Sequence, residues 1–282
     1  MLLAAFFFAL QAAFVKLGSA DAGALEFVAS RGCFGMLIIG LWALAANKDL
    51  RTRYFWSHMK RSFLGCMGMS LWFYSIGFLP LGTSQTLNNT SPLFMAALLS
   101  GIALYKKRPL EWPLVGAIIA GFFGVTLILR PEFHAGDLIY GLCGLSSGLF
   151  ASLAYYQIKE LTMMREPTWR VVFYFSAFCF VWGSLGHLLF EGASTYNLHS
   201  VGMLSGCGII ACAAQVAMTR AYGAGNLLLS SLLQFSGILF GCLIGWIWMG
   251  EQIAPLSVAG MLIIIVSGTY ATMFTKKLGK KS

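Results

Sequence analysis

Charge is what this sequence has least of. Of 282 residues only 10% are charged, ten acids against nineteen lysines and arginines, whereas a soluble domain carries about 25%. That scarcity excludes an ordinary water-facing fold. The four histidines form no cluster, and the seven cysteines (Cys33, Cys66, Cys143, Cys179, Cys207, Cys212 and Cys242) show no CxxC spacing. A zinc site and a disulfide framework are thereby excluded, and the cysteines read as small buried apolar side chains. Long polar stretches are also missing, so there is no soluble sensor or receptor domain. The longest connection between apolar runs is "ANKDLRTRYFWSHMKR". No metal and no cofactor are expected.

Apolar runs are what the sequence has in abundance. Hydrophobic residues make up 58% and the mean hydropathy is +0.77. Runs of about 20 residues recur along the chain, each long enough to cross a bilayer as a helix. The opening run, "MLLAAFFFALQAAFVKLGSADA", ends in a stretch like a cleavage site. It lacks the positively charged start of a leader peptide and reads as a first membrane helix. Ten spans are expected, at 2–17, 23–45, 62–79, 83–104, 112–129, 137–157, 170–190, 201–221, 226–248 and 256–274. The net charge of +9 does not point to nucleic acid, because the basic residues form short islands between spans, and such islands set membrane orientation. With both termini cytoplasmic, Lys48, Arg51, Arg53, Lys60, Arg61, Lys106, Lys107, Arg108, Lys159, Arg165, Arg170, Arg220 and the tail lysines fall inside. Lys16, Arg31 and Arg130 remain for the outer half, while Asp21, Glu26, Glu132, Asp137, Glu191 and Glu251 fall outside. The expected fold is an all-α membrane protein, multi-pass in the inner (plasma) membrane.

The chain repeats itself. "YSIGFLPLGTSQTLNNTSPLF" aligns with "RAYGAGNLLLSSLLQFSGILF", pairing Gly77 with Gly223, Ser84 with Ser230, Asn88 with Gln234 and Phe94 with Phe240. Further on, Gly116 pairs with Gly260 and Gly124 with Gly268. Five spans separate the copies, so the two repeats, 1–132 and 133–282, are expected to lie upside down relative to each other. Inverted repeats mark secondary transporters, with the substrate near midplane between the halves.

Arg31 in "EFVASRGCFGMLI", the stretch "LPLGTSQTLNNTSPLF" before "LYKKRPL", and the "GWIWMGEQ" corner followed by "SGTYATMF" together resemble the EamA-type family of the drug/metabolite transporter superfamily. The resemblance spans the whole chain. It departs from the family at Lys106 and Lys107, where Gly-Glu is often found again. It implies ten helices as two inverted five-helix repeats, and movement of small metabolites, often export of amino acids and related compounds. Uptake or exchange of S-adenosylmethionine or a nucleotide-like solute is the alternative it also carries.

The candidate site follows from polar groups placed where lipid is expected. Asn88 and Asn89 would leave amides unpaired in hydrocarbon, at several kcal/mol each. They must therefore face protein or water, either as interhelical contacts or as a pathway. Pro92 is expected to bend the fourth span and free carbonyls near Asn88. Gln234 holds the matching position in the second repeat. Trp72 and Tyr74 are expected to line the same pocket, with Gln11 a further candidate. Tyr155, Tyr156 and Gln157 read as an interfacial belt. Arg31, about 12 Å into its span, reads as a gating or structural charge that caps carbonyls of a neighbouring helix; Glu26, five residues earlier and off that helical face, reads as a second such charge, not as its pair. The glycine ladders (Gly237, Gly241, Gly245; Gly116, Ala120, Gly124; Gly144, Gly148) are assigned to helix packing.

The expected function is a secondary transporter, an exporter of a small polar or zwitterionic metabolite such as an amino acid or derivative, working by alternating access. Its partners are that substrate and the lipid bilayer, as a monomer or homodimer. A serine hydrolase is the remote alternative, because "GLSSG" at 144–148 matches G-x-S-x-G. That motif needs a strand-to-helix elbow, Ser146 and His187 differ in depth, and no acid is placed to orient the histidine. No enzyme is expected. No Asp, Glu or His is placed near midplane either, so tight proton coupling is not expected.

Overall fold

A computed structural model describes residues 1–105, 138–192, 196–224, 233–252 and 255–279, with isolated positions between 112 and 127 and at 230. The basic corner Lys106–Lys107–Arg108, Arg130, Glu132, Asp137 and the last two lysines, Lys280 and Lys281, lie outside the described residues, as does half of the fifth expected span. The described residues are helical and contain no strand. In chain order the helices are α1 (Leu2–Gly18), α2 (Ala24–Ala45), α3 (Phe55–Phe78), α4 (Leu81–Asn88), α5 (Ser91–Tyr105), α6 (Leu138–Met163), α7 (Thr168–Gly186), α8 (Leu198–Ala224), α9 (Ser236–Met249) and α10 (Pro255–Gly279). A π turn, His187–Glu191, closes α7.

Local chemistry sets these boundaries. The first amides of α2 would be unpaired, so carboxylates meet them: Gly23 N donates to Glu26 Oε2 (3.4 Å), Leu25 N to Glu191 Oε1 (2.9 Å) and Glu26 N to Glu191 Oε2 (3.2 Å). Pro80 separates α3 from α4. α9 stops at Gly250, whose φ of 63° is left-handed, and Glu251 N bonds back to Gly245 O at 3.1 Å.

Two expectations are corrected. The third helix begins at Phe55, seven residues before the expected start, because a hydropathy pattern discounts the polar "SHMKR" that the helix carries. The fourth span is not one bent helix but two. α4 ends at Asn88, Asn89 and Thr90 form a turn, and α5 starts at Ser91 with Pro92 in its first turn, where a missing N–H costs nothing. The stretch of the second half that aligns with it in sequence also breaks: positions 233 and 234 are helical, Phe235 is a turn, and α9 begins at Ser236.

Helices early in the chain lie beside helices late in it. α1 packs on α8, α2 on α7 and α8, and α3 on α6. A core of Phe27, Trp72, Phe73, Ile76, Phe175, Cys179 and Cys207 fills the space among α1, α2, α3, α7 and α8. At the end of the bundle that holds Met1, the 46–54 connection is tied to α7: Thr52 Oγ1 donates to Glu166 (2.9 Å), Arg170 Nη2 to Asp49 O (2.8 Å) and Tyr174 OH to Leu50 O (3.1 Å). The opposite end holds Asp21, Glu26, Glu191 and Glu251. His199 meets Asp21 at 3.0 Å, Glu191 holds α2, and Glu251 Oε2 accepts from Leu81 N at 2.7 Å.

Around the perimeter large apolar side chains are bare, among them Leu41, Leu44, Leu188, Leu189 and Phe190. In water such a surface would associate; in a bilayer it is the normal solvent-facing surface. Exposed Trp56 sits at one end and Trp246 and Trp248 toward the other, as interface aromatics do. Among the described residues four helices are long and apolar enough to cross a membrane, Ala24–Ala45, Leu138–Met163, Thr168–Glu191 and Leu198–Gly223, and shorter apolar helices lie at Leu2–Gly18, Ser236–Met249 and Val258–Tyr270.

Candidate functional site

The break between α4 and α5 faces a cavity. Two glycine-bearing helices receive it, and a side chain at either place would close the gap. A Cβ on Gly148 of α6 would lie 2.6 Å from Thr90 Oγ1 and 3.0 Å from Leu87 O; one on Gly237 would lie 3.0 Å from Gln85 Nε2 and 3.2 Å from Asn89 Nδ2. Asn89 Nδ2 bonds back to Gln85 O (2.9 Å) and Thr90 Oγ1 to Leu87 O (2.6 Å), so the turn satisfies its own backbone. Asn88 Nδ2 donates to Ser147 Oγ at 2.9 Å, which fastens the end of α4 to α6. Irregular backbone at this depth is tolerated where protein buries it or a cavity borders it.

The walls come from faces with helical spacing. On α3 they are Arg61, Gly65, Gly68, Met69 and Trp72, on α1 Met1, Ala5 and Phe8, and on α8 Gln215 and Met218. Gln85, Asn88, Asn89, Tyr155, Phe175 and Gln234 complete the polar and aromatic lining. The free volume is about 60 Å³, room for a few waters, so the walls stand close together in this structure. Gln234 is fully engaged. Its Oε1 accepts from Tyr222 OH (2.6 Å), and its Nε2 donates to Ser91 Oγ (3.3 Å) and Tyr155 OH (3.2 Å). It therefore ties together three helices beside the second break.

The structure brings Asn88, Asn89, Gln234 and Trp72 to one cavity and leaves Tyr74 and Gln11 out of it. Tyr74 is 42% exposed and packs on Phe78 and Tyr140 at the perimeter. Trp72 and Tyr74 are two residues apart, about 200° around a helix, so one face cannot hold both. Gln11 is buried on α1 beside Cys207. Arg31 Nη2 donates to the Gln215 side chain at 3.3 Å, rather than to a main-chain carbonyl as expected. Glu26 serves the start of α2.

Tyr155 is no belt residue: its ring stacks on Tyr222 (centroids 5.2 Å apart) and its hydroxyl bonds Gln234. Gly237 lines the cavity as well as packing on α4.

Gln85, Gln215 and Arg61 were missed. Gln85 was legible, since Gln85, Asn88 and Asn89 share the i, i+3, i+4 face. Arg61 had been assigned to a connection. It lies seven residues into α3, is 2% exposed, and stacks its guanidinium 3.6 Å from the Phe175 ring centroid.

Three comparisons bear on what such a cavity serves. Residues 1–130 match the model of the EamA-like transporter family. The match covers just under half of the chain, and that stretch is similar to the family. The pseudopaline exporter of Pseudomonas aeruginosa is 28% identical over 94% of this chain and 92% of its own length. A riboflavin transporter of Vibrio cholerae is 25% identical over 86% of this chain and 79% of its own. A solved crystal structure, 18% identical, superposes with a TM-score of 0.66 over 96% of this chain and 98% of that one, a likeness of fold. The EamA-like chain is thus a multi-pass membrane protein of transporter class and not an enzyme. The G-x-S-x-G stretch agrees: it lies within α6, not on a strand-to-helix elbow. An acid does meet His187, contrary to expectation, because Glu191 is one turn further on (3.1 Å), but that pair caps α2.

Proposed function

We propose that the protein is a secondary carrier that exports a small polar or zwitterionic metabolite, an amino acid or derivative, by alternating access through this cavity. The observation that carries the reading is the pair of helix breaks at aligned positions, Asn89–Thr90 and Phe235, both beside the cavity. Discontinuous helices flanking a central site are how carriers offer backbone and amide groups to a substrate.

Residues 1–132 and 133–282 then form two inverted five-helix units. The basic end that holds Met1, Lys48, Arg51 and Arg53 faces the cytoplasm of the inner membrane, following the positive-inside tendency. Export fits the pseudopaline exporter among the relatives. One chain encloses the cavity, so a monomer suffices.

Proteoliposomes test this. The wild type should move at least one member of an amino-acid and nucleoside library faster than empty vesicles. Gly237→Phe, which fills the gap between Gln85 and Asn89, should abolish the movement while the protein stays monodisperse by size exclusion. Movement of no library member, or full movement by a folded Gly237→Phe, sinks the proposal.

A further inference from the structure

The charge inside the cavity says more about the substrate. Arg61 is buried, and its Nε and Nη1 have no hydrogen-bond partner. Its guanidinium shares the Phe175 ring with that of Arg31, at 3.6 and 5.0 Å from the centroid. Arg31 Nη1 is likewise without a partner. Among the described residues neither arginine enters an ion pair, and no Asp or Glu lines the cavity. Two guanidiniums in a bundle interior without a counter-charge are costly.

The hydrogen-bond inventory leans the same way. Trp72 Nε1 and Gln215 Nε2 are fully buried donors without acceptors, against one fully buried acceptor without a donor among the described lining residues, Gln85 Oε1. Arginine and tryptophan side chains can only donate, so the excess of donors does not depend on how the amides are turned. Water could accept these bonds but would leave the positive charge standing. An anion supplies both.

We infer that the cavity selects a substrate bearing a carboxylate, which binds Arg61 with Trp72 as a further donor. This rests on the carrier reading of the same site. A purely cationic amine is disfavoured, since it would meet the Arg61 guanidinium in the lining, and Phe175 already carries two guanidiniums. A doubly charged phosphate is disfavoured because Arg61 alone of the two arginines lines the cavity.

The test starts with matched acids and amides on the detergent-purified wild type. Nicotinate is set against nicotinamide and phenylalanine against phenylalaninamide, with inorganic phosphate as a separate arm. Unfolding temperature and competition binding are read. At least one acid should bind about tenfold or more tighter than its amide, as expected for a charge-assisted bond. Arg61→Gln should erase that preference and Arg61→Lys keep part of it. Amides as effective as acids, phosphate more effective than either, no shift with any acid, or an unchanged preference in folded Arg61→Gln would each overturn the inference.

The same compounds are then offered to proteoliposomes. If amides move and acids do not, the anion inference fails and the carrier stands. If acids bind but no compound moves, the cavity is an anion site and the carrier reading fails.

Discussion

Glu251 joins the Gly250–Glu251 corner to the broken helix of the first half, and removing it should be felt there. The αL stop at Gly250 turns the chain so that Glu251 Oε2 accepts from Leu81 N at 2.7 Å. Leu81 is the first residue of α4, a helix of only two turns whose end groups weigh heavily. Lys16 holds the other side of this corner, donating to Leu79 O at 2.8 Å. A carboxylate on a helix N-terminus is worth about 0.5–2 kcal/mol as a cap, and partly buried geometry favours the upper half of that range. Glu251→Ala should therefore cost about 1–2 kcal/mol. For a chain of this size that is a fall of about 2–8 °C in Tm, at about 2–4 °C per kcal/mol. Glu251→Gln keeps an acceptor and should lose less. Gln252→Ala, at an exposed neighbour, should be neutral. Thermal unfolding in one detergent compares the three. If Glu251→Ala unfolds with the wild type, the capping argument is refuted. A cycle with Lys16→Met should show coupling, because both side chains hold one corner.

Three other outcomes are expected. His58, at the start of α3 ahead of the 62–79 span, has its pKa lowered by burial despite Glu166 at 3.5 Å, with Arg170 and Arg61 pushing the same way as burial. The unfolded chain then takes the proton first, so His58's contribution is full above about pH 6.5 and stability falls as pH drops below it. The wild-type Tm should decline from pH 7 to 5.5 more steeply than that of His58→Phe, and equal slopes would count against it. Cys66 and Cys179 bring their sulfurs to 2.9 Å between α3 and α7, a contact the scattered spacing did not suggest. Copper-phenanthroline should oxidise the pair to a disulfide, removing two maleimide-reactive thiols, and Cys66→Ala should prevent the loss. Among the described residues no Asp, Glu or His lines the cavity, so counterflow should proceed without an imposed pH gradient; accumulation that requires one would show a proton carrier elsewhere.

The sequence made the long elements legible because lipid demands continuous apolar runs: α1 and α2 fall within a residue of their expected ends. The break in the fourth span was half legible. Pro92 announced a disturbance, but a proline in the first turn of a new helix and one that kinks an old helix leave the same mark in a sequence. Hydropathy also cannot say which side of a helix faces inward. Trp72 and Tyr74 look alike in the chain and end on opposite sides of α3. Arg61 was hidden for a different reason. Its burial depends on Phe175, far along the chain, and nothing near Arg61 announces that partner. Gln215 drew no notice on α8, although its amide meets Arg31. Gln85 could have been found from its spacing to Asn88.

The pairing of early helices with late ones has a consequence for how the protein is made. When α1, α2 and α3 enter the bilayer, the helices that cover Arg31, Arg61 and Gln11 have not been synthesised. Arg31 waits for Gln215, and both arginines wait for Phe175. Until α7 and α8 arrive, those side chains must be hydrated, snorkel to the interface, or stay beside the insertion machinery. The first half cannot settle by itself, and the order of translation leaves its polar interior open longest.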